Sequence, residues 1–561
     1  MAATRTKKSI KNTFVGLVGL VLSLIASFVS RSVFIDILGE TYNGVNGLFA
    51  NILQMLNMAE LGFAAAIAYS LYKPIQEGDE RATSSIMNFF KKVYRCIALI
   101  VALAGLLCIP FLQYLIAEDL SELPFTLLEL RLYFAMYLAN TVCSYLIAYK
   151  RTLIRADQNA YIISTVDYSS NIILNILQII LLYLTGNFYA YLAVMIARTV
   201  LSNVILDIIA SKKYPYLKKY SKEKILPEES KKIVDNVKAL FLNRVGHVIM
   251  FSTQNIFISS LIGVNVTGVY ANYALIANNV SLFVSLLFNS VMSSIGDLGV
   301  SEGDEHRFAV FKKLEYVSNF IIIFATVCYI CFYNDFINVW IKKDGFTFPL
   351  FVVIMIALHS VLSFLRTPIL TFKEAFGLFR QDWYRPLICS ALCIGGSIGL
   401  GYAFRPLSDA WGVFGILLAY ISTILFVSVP IETAVLFKHG FHKSCLKQLL
   451  KTFLLLVVAA AATAVFYLLC SLLPGGIWGL IAEIIICFVG VPLLYILCTF
   501  KTGNFKFYKE LVAKLLKRRK RNPEPQPAAD NATQPADPTI EEQTELTTET
   551  PTEEDTQQSN E

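Results

Sequence analysis

The chain has 561 residues, of which 56% are hydrophobic and only 16% charged. Soluble domains run to about 45–50% apolar and about 25% charged, so these proportions exclude a soluble globular protein and leave a polytopic membrane protein. The net charge of +7 does not signal nucleic acid, because Lys and Arg fall mostly in alternate loops between apolar runs, as the positive-inside rule requires.

A spanning helix needs roughly 20 mostly apolar residues. About fourteen runs qualify: 12–38, 42–72, 93–117, 125–148, 161–185, 188–210, 238–263, 267–295, 314–340, 347–371, 385–404, 411–437, 452–473 and 477–499. Arg5, Lys7, Lys8 and Lys11 precede a first run that is too long for a signal peptide and lacks a small-residue cleavage site, so a retained first helix is expected. An even number of helices places both termini of this multi-pass protein in the cytoplasm and the bundle in the cell membrane.

Polar residues recur inside these runs. In the first, Ser23, Ser27 and Arg31 are spaced by four and share one helix face. In the second, Asn51, Gln54, Asn57 and Glu60 are spaced by three, which spreads them over a broader face. In the fourth, Arg131 lies beside Glu129 near the outer surface, and mutual neutralisation is the expectation. The fifth carries Asp167, Asn171, Asn175 and Gln178 as a stripe, and the sixth aligns Tyr191, Arg198 and Ser202. Residues 212–237 form a basic cytoplasmic loop, with nine lysines between Lys212 and Lys238, read as topogenic and headgroup-facing. In the seventh run, Arg244, His247 and Asn255 fall in one narrow arc. In the ninth, Cys328 and Cys331 form a CxxC with no further ligands nearby in sequence, so no metal or redox role is assigned. The eleven cysteines make no extracellular framework, and disulfides are not expected. Arg366, in the tenth run, either faces a cavity or snorkels to the inner interface. Residues 501–521 form a basic amphipathic segment suited to the membrane surface, and 522–561 a disordered acidic cytoplasmic tail.

The chain repeats itself. Leu38-Gly39-Glu40-Thr41-Tyr42-Asn43-Gly44-Val45 matches Ile262-Gly263-Val264-Asn265-Val266-Thr267-Gly268-Val269. Phe90-Lys91-Lys92 matches Phe311-Lys312-Lys313, and Arg151-Thr152 matches Arg366-Thr367. Three matches in one order predict a parallel repeat: an N-lobe over 1–211 and a C-lobe over 238–437, six helices each, with two further helices over 438–500. Transporters place substrate at the interface of such repeats.

Lipid offers these polar side chains no partners, so they face protein or a hydrated cavity. Arg31, Arg198 and Arg244 lack a local counter-ion and are assigned to a central cavity, with Arg366 as a further candidate. Ser27, Asn171, Asn175, Gln178, His247 and Asn255 are its expected polar lining. Arginine binds phosphate bidentately and stays protonated, so surplus arginines favour a phosphate-bearing ligand. Glu60 and Asp167 are either sites for a coupling cation, Na+ or H+, or structural counter-ions to the arginines. No GxxxxGK[ST], HExxH or GxSxG motif and no paired carboxylates mark an enzyme, and no cofactor is expected.

The run Leu38-Gly39 through Tyr42-Asn43-Gly44-Val45-Asn46-Gly47-Leu48-Phe49, then Ala59-Glu60-Leu61-Gly62-Phe63 and Tyr69-Ser70-Leu71-Tyr72-Lys73-Pro74, resembles the polysaccharide-transport branch of the MOP flippase superfamily. So do Ala156-Asp157-Gln158-Asn159-Ala160-Tyr161-Ile162, Gly263 through Gly268-Val269-Tyr270-Ala271-Asn272-Tyr273, and Glu374-Ala375-Phe376-Gly377-Leu378-Phe379-Arg380-Gln381-Asp382 with Tyr384-Arg385-Pro386. The resemblance spans roughly residues 10–500 and is nearest to Wzx-like oligosaccharide flippases of the Gram-positive type. It implies an all-α, MATE/MOP-like fold of fourteen helices working by alternating access. It also implies a cargo of undecaprenyl-pyrophosphate-linked oligosaccharide, with Arg31, Arg198 and Arg244 matching the family's cationic cavity in role. The seventh run departs from it, with Thr253-Gln254-Asn255 where an acid is expected. Implied partners are membrane lipid, the polyprenyl-linked glycan, a glycan polymerase and glycosyltransferases, with the flippase itself a monomer. Three rivals are a cation-coupled multidrug antiporter, a lipid II flippase and a scaffold docking through its tail.

Overall fold

The computed structural model describes residues 2–60, 63–301, 303–343, 345–378 and 381–500. Within its helices the side chains of some residues, Arg244 and His247 among them, lie outside that description, as do the amphipathic segment and the acidic tail.

Among the described residues every regular element is helical. In chain order they are α1 (Ala2–Leu56), α2 (Phe63–Glu77), α3 (Glu80–Cys108), α4 (Leu127–Ala156), α5 (Ala160–Thr185), α6 (Phe188–Lys213), α7 (Tyr216–Lys219) and α8 (Pro227–Leu261). There follow α9 (Val264–Ser301), α10 (Asp304–Ile341), α11 (Leu350–Ala375), α12 (Arg385–Phe404), α13 (Asp409–Thr423), α14 (Val429–His439), α15 (Leu446–Cys470) and α16 (Ile477–Thr499). A 3-10 turn, Asn57–Glu60, joins α1 to α2, and a π-helical turn, Ile424–Ser428, joins α13 to α14.

Local chemistry sets the helix ends. Asp79 accepts from the Ala82 amide at 2.8 Å to open α3, and Thr126 and Glu129 form a reciprocal capping box at α4, each satisfying amides that a helix N-terminus leaves free. Gly186 closes α5 in the left-handed region, as C-terminal glycines do. α8 begins at Pro227, inside the predicted basic loop, because a proline and two glutamates in the first turn favour a helix start.

Large apolar side chains stand exposed in rows, such as Leu99, Leu103 and Leu107 on α3 and Leu450, Leu454 and Val458 on α15. Rows of this spacing are the lipid-facing sides of a multi-pass protein. Among the described residues eleven helices are long and apolar enough to cross a membrane, or twelve if the bent pair Leu127–Leu146 and Ala148–Ala156 is one span. The described residues do not by themselves confirm the expected fourteen. Helix α1 carries the first run and half of the second in one element, interrupted only at Gly39 (φ 88°). The rest of the second run is the short α2, and the seventh run falls largely on undescribed side chains.

The repeat is realised as a reciprocal crossing of α1 and α9. Gly39 and Gly263, at matching positions, both have positive φ, a conformation open mainly to glycine. A side chain on Gly44 would collide with the Val264 carbonyl oxygen, and one on Gly268 with the Glu40 carbonyl oxygen. Thr41 donates to its counterpart Asn265 at 2.6 Å. Glu118 caps α9 by accepting from the Val264 and Asn265 amides at 2.7 and 3.0 Å. Lys343 donates to the carbonyls of Ile35 and Asp36, at 3.1 Å each. These contacts hold the two matched segments against each other.

Candidate functional site

Two polar cavities lie within the bundle. The first, of about 610 Å³, is walled by α1, α3, α4, α5 and α6 and includes Glu60. Three arginines line it, Arg151, Arg155 and Arg198, against two carboxylates, Asp167 and Glu60. Asp167 is engaged: Arg151 donates to both its oxygens, at 2.8 and 2.9 Å, and Ser202 donates to it at 2.7 Å. Arg151 also reaches Asn203 and Ser202, so its guanidinium is well occupied. Glu60 accepts from the Tyr94 hydroxyl. Arg198 donates to Asn171 at 2.6 Å, and Asn171 donates to Ser23 at 2.5 Å. Among the described residues, neither Arg155 nor Arg198 has a carboxylate within ion-pair distance.

The second cavity, of about 570 Å³, lies between α1, α8, α9 and α11. Carboxamides dominate its polar lining: Asn51, Gln54, Gln254, Asn255 and Asn278, with Arg366 also lining it and, among the described residues, no carboxylate. Gln254 Oε1 accepts from Tyr270 at 2.9 Å, but its Nε2 and the Asn255 Oδ1 are buried without a partner. A buried amide atom left unpaired is costly, so this wall is chemically ready for hydroxyl groups or water.

The structure thus gathers Arg198, Asp167, Asn171 and Glu60 around the first cavity and Asn255 and Arg366 around the second. Arg31 lines neither. It donates to Asn43, which in turn donates to the Gly268 carbonyl at 2.7 Å and to Asn272 at 3.1 Å, which places it in the α1–α9 crossing. Ser27 is half-buried one turn before it. Asn175 and Gln178 are buried farther along α5, and Gln178 donates to the Tyr191 carbonyl at 3.2 Å. Arg244 and His247 lie on α8 but outside the described side chains.

Arg366 does not snorkel. It is 2% exposed and forks onto Glu432, 0% exposed, at 2.8 and 2.9 Å. Arg385 joins the same Glu432 at 2.8 Å and Asp382 at 2.9 Å, and Lys373 also donates to Asp382. The Arg131–Glu129 pairing is likewise corrected. Glu129 caps Thr126, while Arg131 Nε is buried without a partner, because residues two apart on a helix do not face each other. Sequence reasoning missed Arg155 and Arg151 as cavity residues by treating them as inner-flank positives. It missed Glu432, whose signal was an acid within the twelfth apolar run.

A family described as Polysaccharide biosynthesis protein matches residues 9–294, more than half of the chain. No curated protein matches. Among solved structures, the fold is similar to the lipid II flippase MurJ in an inward closed conformation, at 14% identity and TM-score 0.58, over 90% of this chain and 100% of that one. It is also similar to an inward-facing multidrug resistance MATE family transporter, at 14% identity and TM-score 0.57, over 76% of this chain and 99% of that one. A third is a MOP superfamily transporter from Pyrococcus furiosus described as having a binding pocket of reverse polarity. Identity there is 14% and TM-score 0.52, over 77% of this chain and 96% of that one. At these identities the likeness establishes the fold. On the family match, this multi-pass membrane protein belongs to the polysaccharide biosynthesis protein family.

Proposed function

We propose that the protein flips undecaprenyl-pyrophosphate-linked oligosaccharide across the cytoplasmic membrane, for synthesis of a capsule, exopolysaccharide or other surface glycan. The observation that carries this is the first cavity, where three arginines face two carboxylates and one of those is already held by Arg151. Arg198 and Arg155 are left to bind an anion, and a pyrophosphate matches the guanidinium fork. The carboxamide wall of the second cavity suits the hydroxyls of an uncharged glycan. α1 contributes to both cavities, Ser23 to the first and Asn51 and Gln54 to the second, so its movement would act on head group and sugars together. The polyprenyl tail stays in lipid. A cation antiporter would need surplus carboxylate, and the second cavity is lined by none. Glu60, the first-cavity carboxylate outside any ion pair among the described residues, is the candidate for Na+ or H+ coupling. Both termini would lie in the cytoplasm, and the monomer would work beside the glycosyltransferases and polymerase that make and consume its cargo.

The test is surface glycan in cells carrying Arg198→Ala, with expression matched to wild type, together with lipid-linked oligosaccharide remaining on the inner leaflet. Charge-assisted hydrogen bonds contribute about 1.5–3 kcal/mol, so export should fall about tenfold or more, with accumulation inside. Normal export by an Arg155→Ala, Arg198→Ala double variant would overturn the reading.

A further inference from the structure

The CxxC of α10 is not isolated, contrary to its reading in sequence. Cys328 and Cys331 lie one turn apart on α10, Cys470 ends α15, and Cys487 lies within α16. All four are buried in one cluster with Val327, Ala459 and Phe466. The sulfurs of Cys331, Cys470 and Cys487 lie within 4.8 Å of one another, and the Cys487 thiol interacts with each of the other three. Two carboxyl groups adjoin them. Glu483 and Asp335 hydrogen-bond to each other, one turn from Cys487 and Cys331 respectively. Glu483 Oε2 is buried with no partner.

Zinc holds thiolate sulfurs at about 2.3 Å, which sets tetrahedral sulfurs roughly 3.8 Å apart. The observed spacing of up to 4.8 Å exceeds that by about an ångström, so zinc binding would require the side chains to turn inward. An all-sulfur donor set rejects Mg2+ and Ca2+ and suits Zn2+. We propose that Cys331, Cys470 and Cys487, with Cys328 as the fourth sulfur, form a thiolate site for Zn2+ that fastens α15 and α16 to α10. Binding would displace thiol protons, and the cation would offset the cost of thiolates in an apolar setting. The fastening matters because these two helices reach the rest of the bundle chiefly through α10 and touch each other little.

The experiment uses the full chain purified in detergent with reductant and no chelator. Elemental analysis should find about one zinc per chain. Metal-stripped protein given Co2+ should develop a thiolate-to-cobalt charge-transfer band. Cys487→Ser should lose both, whereas Cys498→Ser, an exposed cysteine outside the cluster, should keep both. Zinc no higher in wild type than in Cys487→Ser, or no cobalt band, would overturn the proposal. Should Cys487→Ser fail to fold, the wild type alone decides. Unfolding it should release zinc to a metal-sensitive dye and expose all eleven thiols. Eleven thiols without zinc mean plain packing, and nine mean a disulfide; either result refutes the site.

Discussion

Arg198 and Arg366 show how differently two arginines in apolar helices are used. Arg366 sits in a buried network in which Arg385 shares Glu432 with it and also pairs with Asp382, where Lys373 pairs as well. Its charge is neutralised by protein, so its role is to join α11 to α12 and α14. Removing one member of a buried ion pair costs about 3–5 kcal/mol because the survivor stays buried and unpaired. Glu432→Gln should therefore lower the unfolding temperature in detergent markedly, and an unchanged melting curve would show the network to be dispensable. Among the described residues Arg198 donates to Asn171 (2.6 Å) and to no carboxylate, so Arg198→Ala should leave the melting curve nearly unchanged while export falls. Glu60→Gln keeps the side-chain shape and an acceptor for Tyr94. If Glu60 carries the coupling ion, export in this variant should lose its dependence on the ion gradient with little change in melting temperature. Arg198 and Arg366 were legible in the sequence because an arginine within an apolar run is conspicuous. Their separate fates were not, since Glu432 lies 66 residues from Arg366 and no local period links the two.

Helix α1 behaves as two segments that meet at Gly39, and the repeat-matched α8–α9 junction bends at Gly263. Glycine at Gly44 and Gly268 lets the two backbones touch, each against a carbonyl of the opposite repeat. Ser23, in the wall of the first cavity, precedes Gly39 by sixteen residues, so the crossing lies about 24 Å farther along the helix. That placement predicts a gate at the crossing, remote from the first cavity. Gly44→Ala and Gly268→Ala should each force the crossing apart. Both should raise labelling of an Asn272→Cys reporter by an impermeant reagent added from outside, and both should slow export. Gly399→Ala, where an added Cβ meets nothing within 4 Å, should do neither. Equal labelling in all three would dismiss the gate. The repeat itself was readable from matched residues, but only the packed helices show that matched residues meet.

Among the described residues, exposed leucine rows stand on surfaces suited to lipid, α1 and α9 cross in close contact, and two polar cavities lie between the helices. The acidic tail, 522–561, lies outside the described residues. A chain lacking it should retain most export if the transporter body suffices, whereas a scaffold docking through the tail would lose function with it. Measuring surface glycan at matched expression separates the two.

The sequence alone determined that this is a helical membrane protein, that residue patterns such as those at 38–45 and 262–269 recur in one order, and that cations and amides line some helix faces. Composition, hydropathy and helical period are properties of neighbouring residues, so they can be read without a fold. Only the tertiary structure decided which cations are neutralised, which amides remain unpaired, and that Cys328 and Cys331 meet Cys470 and Cys487. Those outcomes depend on side chains from different helices coming within a few ångströms, a distance that packing sets and local sequence does not record.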